Sequence, residues 1–212
     1  MRRRLFRIEE AETGRVEAFS DGVLAIVITL LALDIKVPQN AAGDAALWRG
    51  IVERLPMIGA WLVSFFFVLV FWVAHHTLFA QLAKTDRGLL WLNGLFLLAI
   101  SFSPFPTALV GEYPGAAPAL FLLSLVMFLA ASFFASMRWY ATLKGRLARP
   151  EVPRHYFQRA FRRGLIAPFL YAVAMGLSFV APWAAVSVQA LVPLLFVFPT
   201  QTPGGATVDS RQ

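Results

Sequence analysis

The sequence contains no cysteine in 212 residues, and charged side chains make up only 15% of it. The absence of cysteine excludes disulfides, thiolate zinc sites, iron–sulfur clusters and cysteine nucleophiles. A typical soluble domain is about 25% charged, so the low charge content argues against a water-soluble fold. Acidic residues are the scarcer kind, 12 against 19 basic residues, which gives a net charge of +7.

The motifs of an enzyme active site are also missing. The chain has no glycine-rich phosphate loop, serine elbow or pair of catalytic carboxylates. His75 and His76 are neighbours, so on a helix they point about 100° apart, whereas chelation from one helix needs a spacing of three or four residues. We therefore predict no enzymatic activity, no metal site and no cofactor.

Long hydrophobic runs dominate the sequence instead. Hydrophobic residues make up 58% of the chain, and the mean hydropathy is +0.66. A helix needs about 20 apolar residues to cross a bilayer. Apolar runs of about this length recur along the sequence. They predict an all-α integral membrane protein with one six-helix domain over residues 1–200 and a flexible cytoplasmic tail at 201–212. The six predicted spans are 16–35, 56–79, 89–110, 118–139, 164–181 and 183–198.

The first span is unusual because acidic residues interrupt it. Its apolar run lies between Asp21 and Asp34, which is roughly 18 Å of helix and too short to cross the hydrocarbon alone. It is either a buried half-span or a full span whose acidic ends face protein and water. We favour the full span, since a carboxylate within a membrane helix normally faces a protein interior or a pore.

Basic residues predict the orientation. With six alternating spans, 16 of the 19 lysines and arginines fall on one side, eight of them in the segment 138–163. By the positive-inside rule this side is cytoplasmic, with both termini inside, in a multi-pass protein of the cell membrane. The excess positive charge therefore indicates contact with anionic lipid headgroups rather than with nucleic acid.

Two sets of residues in the first half of the chain are candidate functional positions. Gly22, Ile26, Thr29 and Leu33 are spaced four, three and four residues apart, so they form one stripe on a helix. Spacing alone favours ordinary helix packing; around a shared axis the same stripe makes rings that constrict a pore. The second set is polar, and we expect it to form a cluster that ties the first three spans together at one depth: Arg15, Ser20, Asp21, His75, His76, Trp91 and Asn93.

These motifs together resemble the transmembrane protein 175 family, the potassium-permeable channels of lysosomes and their bacterial relatives. The similarity covers the first half of the chain closely and the six-helix layout throughout. The residues that carry it are Arg15-x-x-x-Phe19-Ser20-Asp21 with the stripe that follows, Phe71-Trp-Val-Ala-His-His76, Leu90-Trp-Leu-Asn93 and Pro104-Phe-Pro-Thr107.

The resemblance implies a passive channel for potassium and other monovalent cations, with a central pore lined by the first helix. Ile26 then matches the narrowest hydrophobic layer, Thr29 a hydroxyl layer and Leu33 an outer hydrophobic layer. Arg15, Phe19, Ser20 and Asp21 match the motif that holds the pore helix against its neighbours. A chain with a single six-helix repeat implies a homotetramer, and cyclic assembly is the usual way to place copies of one helix around an axis.

Several interpretations remain open at this level. Asp34 fits an outer cation-attracting ring and an interfacial residue paired with Lys36 equally well. Pro104 and Pro106 either break the third span or, as we favour, kink it near its end. Glycines inside the spans, at Gly59, Gly94 and Gly176, are interpreted as close-packing positions. The alternative function is a secondary transporter or proton-coupled ion carrier, which usually has more intramembrane charge or an inverted repeat.

Overall fold

A computed structural model describes residues 2–39, 42–144 and 147–197, with side chains from residue 13 onward. Over these ranges the chain is helical and forms no strand; one isolated β-bridge joins Leu82 and Ala148. The helices are α1 (Arg2–Leu33), α2 (Asp44–Glu53), α3 (Leu55–Phe79), α4 (Arg87–Ser101), α5 (Pro104–Glu112), α6 (Ala117–Trp139), α7 (Arg154–Gly164), α8 (Ile166–Val180) and α9 (Pro182–Val197).

Five helical stretches are long and apolar enough to cross a membrane: Thr13–Leu33, Leu55–Phe79, Arg87–Glu112, Ala117–Lys144 and Arg154–Val180. The predicted all-helical membrane architecture is therefore confirmed at this coarse level. The first stretch has 21 residues, or about 31 Å of helix, which matches the hydrocarbon thickness. Pro182–Val197 is apolar but has only 16 residues, so the sixth span stays a prediction. The predicted tail at 201–212 lies outside the described residues.

The third stretch is interrupted just before its prolines. Helix α4 ends at Ser101 and α5 begins at Pro104, where the missing proline N–H costs no helical hydrogen bond. Between them, the N–H of Phe102 and of Ser103 donate to carbonyls three residues back, at 3.3 and 3.1 Å. The backbone therefore remains hydrogen-bonded through the interruption, as it must within a membrane.

Helix α6 lies at the centre of the bundle, packed against α4, α5, α8 and α9. Its inner face joins an aromatic cluster with α3 and α4, in which Phe71 contacts Phe96 and Phe134 at ring-centroid distances of 5.4 Å each. Tyr171 of α8 meets Phe67 edge-on at 5.7 Å. Because lipid tails are as apolar as these side chains, shape-matched packing rather than hydrophobicity stabilises such contacts.

Helices α3 and α5 approach each other closely at Gly111 of α5, which requires glycine there. A Cβ atom there would lie 2.8 Å from the Cα atom of Met57 in α3. The interpretation of Gly59, Gly94 and Gly176 as close-packing positions is wrong within the protomer, since a Cβ atom at each meets nothing within 4 Å. Spacing identifies a small residue but not the face on which the neighbouring helix packs.

Most of the described residues in the basic segment between α6 and α8 are helical. Helix α6 continues into a π-helical turn, Tyr140–Lys144, and the backbone of Arg149 then bonds to Gln81 after α3, at 2.9 Å. Helix α7 is strongly amphipathic: Phe157 is buried, whereas Arg154, Arg159 and Arg162 are exposed. An amphipathic basic helix of this kind is suited to an anionic membrane surface.

Candidate functional site

Helix α1 has two opposite faces. Its buried stripe consists of Ser20, Leu24, Val27 and Leu31, which pack toward α3 and α4. Each residue of the predicted pore stripe follows a member of this set by two positions, which is about 200° around a helix. Consequently the predicted stripe, Gly22, Ile26, Thr29 and Leu33, lies on the uncovered side of the protomer.

The uncovered face is apolar with one hydroxyl. Ile26 is 59% exposed and Leu33 74% exposed. The Thr29 hydroxyl donates to the carbonyl of Ile26 at 2.8 Å, so its proton is used within the helix. The lone pairs of the Thr29 oxygen remain able to face a cation.

A chain of hydrogen bonds anchors the opposite face of α1. The amide Nδ2 of Asn93 in α4 donates to Ser20 Oγ at 2.9 Å, and Asn93 Oδ1 accepts from His75 Nε2 of α3 at 3.0 Å. Ser20 Oγ in turn donates to the carbonyl of Val16 at 2.9 Å. All three side chains are buried. These hydrogen bonds join three helices at one depth and favour one packing arrangement of α1 against α3 and α4.

His75 is fully buried within this hydrogen-bonded set. Its ring stacks on Phe79 at a centroid distance of 4.3 Å and on Phe96 at 6.0 Å. Because Asn93 Oδ1 only accepts, the bond between them places a proton on Nε2. Nδ1 is buried without a hydrogen-bond partner.

His76 has a different partner, Glu17, that the sequence reasoning missed. His76 Nδ1 lies 2.8 Å from Glu17 Oε1, and the side chain of His76 is well exposed. Glu17 precedes Asp21 by four residues, so the two carboxylates share one side of α1. The four-residue spacing of Glu17 and Asp21, at the same depth as His75 and His76, is the sequence signal that could have identified Glu17 as a partner.

The remaining residues of the predicted polar cluster make no hydrogen bond to Ser20, Asn93 or His75. Asp21 is half-buried, and its Oδ1 is enclosed without a hydrogen-bond partner. Arg15 is exposed, as are Phe19 at 66% and Trp91 at 75%. Asp34 is half-buried beyond the end of α1. In the described part of the chain, no three histidines or carboxylates are grouped as metal ligands.

Comparisons with known proteins identify the family. Residues 15–104 match the family described as "Endosomal/lysosomal potassium channel TMEM175". A potassium channel of Chamaesiphon minutus is 39% identical over 192 residues, covering 89% of this chain and 95% of the relative. A potassium channel of Streptomyces collinus is 38% identical over 191 residues, covering 88% and 92% of the two chains.

Solved structures agree with these relatives. The crystal structure of a lysosomal potassium-selective channel TMEM175 homolog from Chamaesiphon minutus has a TM-score of 0.79 and 38% identity. The match covers 88% of this chain and 97% of the chain in that crystal structure. The human endosomal/lysosomal proton channel TMEM175 is 27% identical over 177 residues, and the match covers only 34% of its length. The family and these relatives are ion channels, not enzymes. This membrane protein therefore belongs to the TMEM175 family.

Proposed function

We propose that this chain is a potassium-permeable cation channel that conducts passively through a pore lined by α1 of four identical subunits. The observation that carries the proposal is the uncovered stripe of α1, where Ile26 and Leu33 are exposed although both are apolar. Potassium channel relatives that match this chain over nearly their whole length support the transported ion.

Assembly follows from the geometry of one helix. A single copy of α1 cannot enclose a channel, whereas closed cyclic symmetry places the same face of each copy toward one axis. In such a ring Ile26 forms a dry constriction, Leu33 an outer apolar layer, and Thr29 offers hydroxyl oxygens to a cation that has lost water. Asp34 lies just beyond Leu33, where four carboxylates would attract cations.

The polar anchor has a positioning role in this proposal. Ser20, Asn93 and His75 hold the back of α1 against α3 and α4, which sets the direction of the stripe. Arg15, Phe19 and Trp91, exposed in the protomer, are then available to neighbouring subunits. We place the pore within one domain over residues 1–200, in the cell membrane, with the basic side and both termini cytoplasmic.

Ion flux from liposomes tests the transport class. Purified protein reconstituted in potassium-loaded vesicles should release potassium down its gradient when a proton ionophore supplies the compensating charge. Release should need no co-transported solute, because a channel conducts passively. Protein-free vesicles are the control. Flux that requires a coupled solute or a proton gradient would contradict the channel and favour a secondary transporter.

A further inference from the structure

A partly open space remains between helices outside the proposed pore. A cavity of about 230 Å³ lies among α3, α6, α7, α8 and α9. Aromatic and aliphatic side chains form most of its wall, among them Phe67, Phe71, Phe134 and Val192. An apolar cavity of roughly 150 Å³ suffices to bind benzene, so this one has room for part of a hydrocarbon chain.

One end of the cavity carries a buried positive charge. Arg138, in the last turn of α6, lines the cavity and is only 9% exposed. Among the described residues, no carboxylate lies within ion-pair distance of its guanidinium, and none accepts a hydrogen bond from it. Its observed contact is with the Phe134 ring, 5.4 Å from Cζ to the centroid. A buried guanidinium normally has an anionic partner, because burial without one is costly.

Other polar groups line the same space. Arg163 of α7 reaches it while its Nη2 donates to the carbonyl of Leu195 at 2.8 Å. Tyr171 also lines the cavity, but its hydroxyl is fully enclosed. The cavity thus combines apolar walls with two guanidinium groups. This pattern matches an amphiphile that has an anionic head and an acyl chain.

We propose that this cavity binds an anionic phospholipid from the leaflet on the basic side of the protein. The phosphate pairs with Arg138 and Arg163, since guanidinium groups recognise phosphate through charge-assisted hydrogen bonds. One acyl chain lies along Phe67, Phe71 and Phe134.

Charge complementarity distinguishes this occupant from a neutral lipid or detergent. A zwitterionic headgroup brings a compensating positive charge toward Arg138, whereas a phosphatidylglycerol headgroup brings only the phosphate. The competing occupant is the segment that follows α9, which carries Asp209. The proposal concerns binding alone, so it stands or falls independently of ion conduction.

Native mass spectrometry of the delipidated full chain tests the charge requirement. With phosphatidylglycerol and phosphatidylcholine of equal acyl length, we expect stronger binding of phosphatidylglycerol. Arg138→Gln should weaken that binding about tenfold, the effect of losing one charge-assisted contact. The control Arg159→Gln removes an equal charge from the exposed side of α7 and should change binding less than about twofold, because exposed charges are screened. Equal binding of the two lipids, or equal effects of the two substitutions, would overturn the proposal.

Photocrosslinking of the unmodified chain covers the case in which Arg138→Gln does not fold. Phosphatidylglycerol with a diazirine in its acyl chain should label peptides containing Phe71, Phe134 and Phe196, and excess unlabelled phosphatidylglycerol should prevent this. Labelling spread evenly over the exposed helices would refute a defined site. Binding of phosphatidylglycerol by Asp209→Asn but not by the unmodified chain would assign the cavity to the C-terminal segment instead.

Discussion

At the residue scale, the polar side chains on the two faces of α1 make different hydrogen bonds. Ser20 is buried and bonded to Asn93, whereas the Thr29 hydroxyl on the opposite side bonds only within its own helix. The first arrangement is typical of a structural contact between membrane helices. The second leaves an oxygen available at an uncovered surface, as a permeation pathway requires.

Replacement of Asn93 by Ala should destabilise the protomer. The substitution leaves Ser20 and the Nε2–H of His75 without their partner in a buried site, at a cost of about 1–3 kcal/mol. The measurement is the midpoint of thermal unfolding in detergent. Ser136→Ala is the control, since the Ser136 hydroxyl bonds only to the carbonyl four residues back. Equal midpoints for the two variants would show that the polar chain contributes no stability.

Replacement of Ile26 by Ser should increase ion flux and weaken the preference for potassium over sodium. A polar side chain wets the proposed constriction, and a barrier lowered by about 1.4 kcal/mol raises the rate about tenfold. Single-channel recording in planar bilayers measures both properties. Ile26→Val keeps the layer apolar and should behave nearly as the unmodified chain. Unchanged conductance in Ile26→Ser would place the constriction elsewhere.

At the element scale, packing within the bundle depends on close contacts that periodicity does not reveal. Helices α3 and α5 approach at Gly111, and Ser64 bonds to Thr107 between the same two helices at 2.7 Å. Because α4 ends before Pro104, α5 is positioned by these contacts as well as by its covalent connection. The helix that follows the break between α4 and α5 is therefore held against α3 by side-chain and backbone contacts.

Gly111→Ala should loosen this junction. The new methyl group would overlap the backbone of Met57, and overpacking of this kind costs about 1–3 kcal/mol. Gly59→Ala in α3 is the matched control, because a Cβ atom there meets nothing within 4 Å. Thermal unfolding in detergent should show a lower midpoint for Gly111→Ala than for Gly59→Ala. If the two midpoints agree, the close approach does not constrain the bundle.

At the scale of the whole molecule, the protomer leaves a membrane-helix carboxylate that lipid does not satisfy. Asp21 has an enclosed carboxylate oxygen without a partner, and Phe19 and Trp91 lie exposed at the same end of the bundle. A carboxylate within a membrane helix needs protein or water as its neighbour. The proposed tetramer would supply both around α1, which connects the exposed motif residues to that assembly.

Asp21→Ala should therefore weaken assembly more than it weakens protomer folding. Mass photometry in lipid nanodiscs should count four subunits for the unmodified chain and a larger share of smaller species for the variant. Helical content by circular dichroism should stay unchanged. Asp34→Ala, at the far end of α1, serves as the control for loss of a carboxylate. A monomer in the unmodified sample would exclude the proposed pore.

The sequence by itself determined the class of molecule. Continuous runs of about 20 apolar residues are typical of membrane helices, because a helix satisfies its backbone hydrogen bonds within one segment of the chain. The Phe-Ser-Asp motif, the two histidines and Asn93 were also recognisable from residue type and spacing. Ser20, His75 and Asn93 could be expected to meet because their depths along the first three spans agree.

Only the tertiary structure decided which side of each helix is covered. Periodicity places Ile26, Thr29 and Leu33 on one stripe and by itself favours a packed surface, but the packing of α1 against α3 and α4 left that stripe open. The same packing paired His76 with Glu17, left Trp91 exposed and buried Arg138 at the end of a cavity. The physical reason is that hydrogen bonds and steric contacts between helices depend on rotation about each helix axis, which a single sequence leaves undetermined.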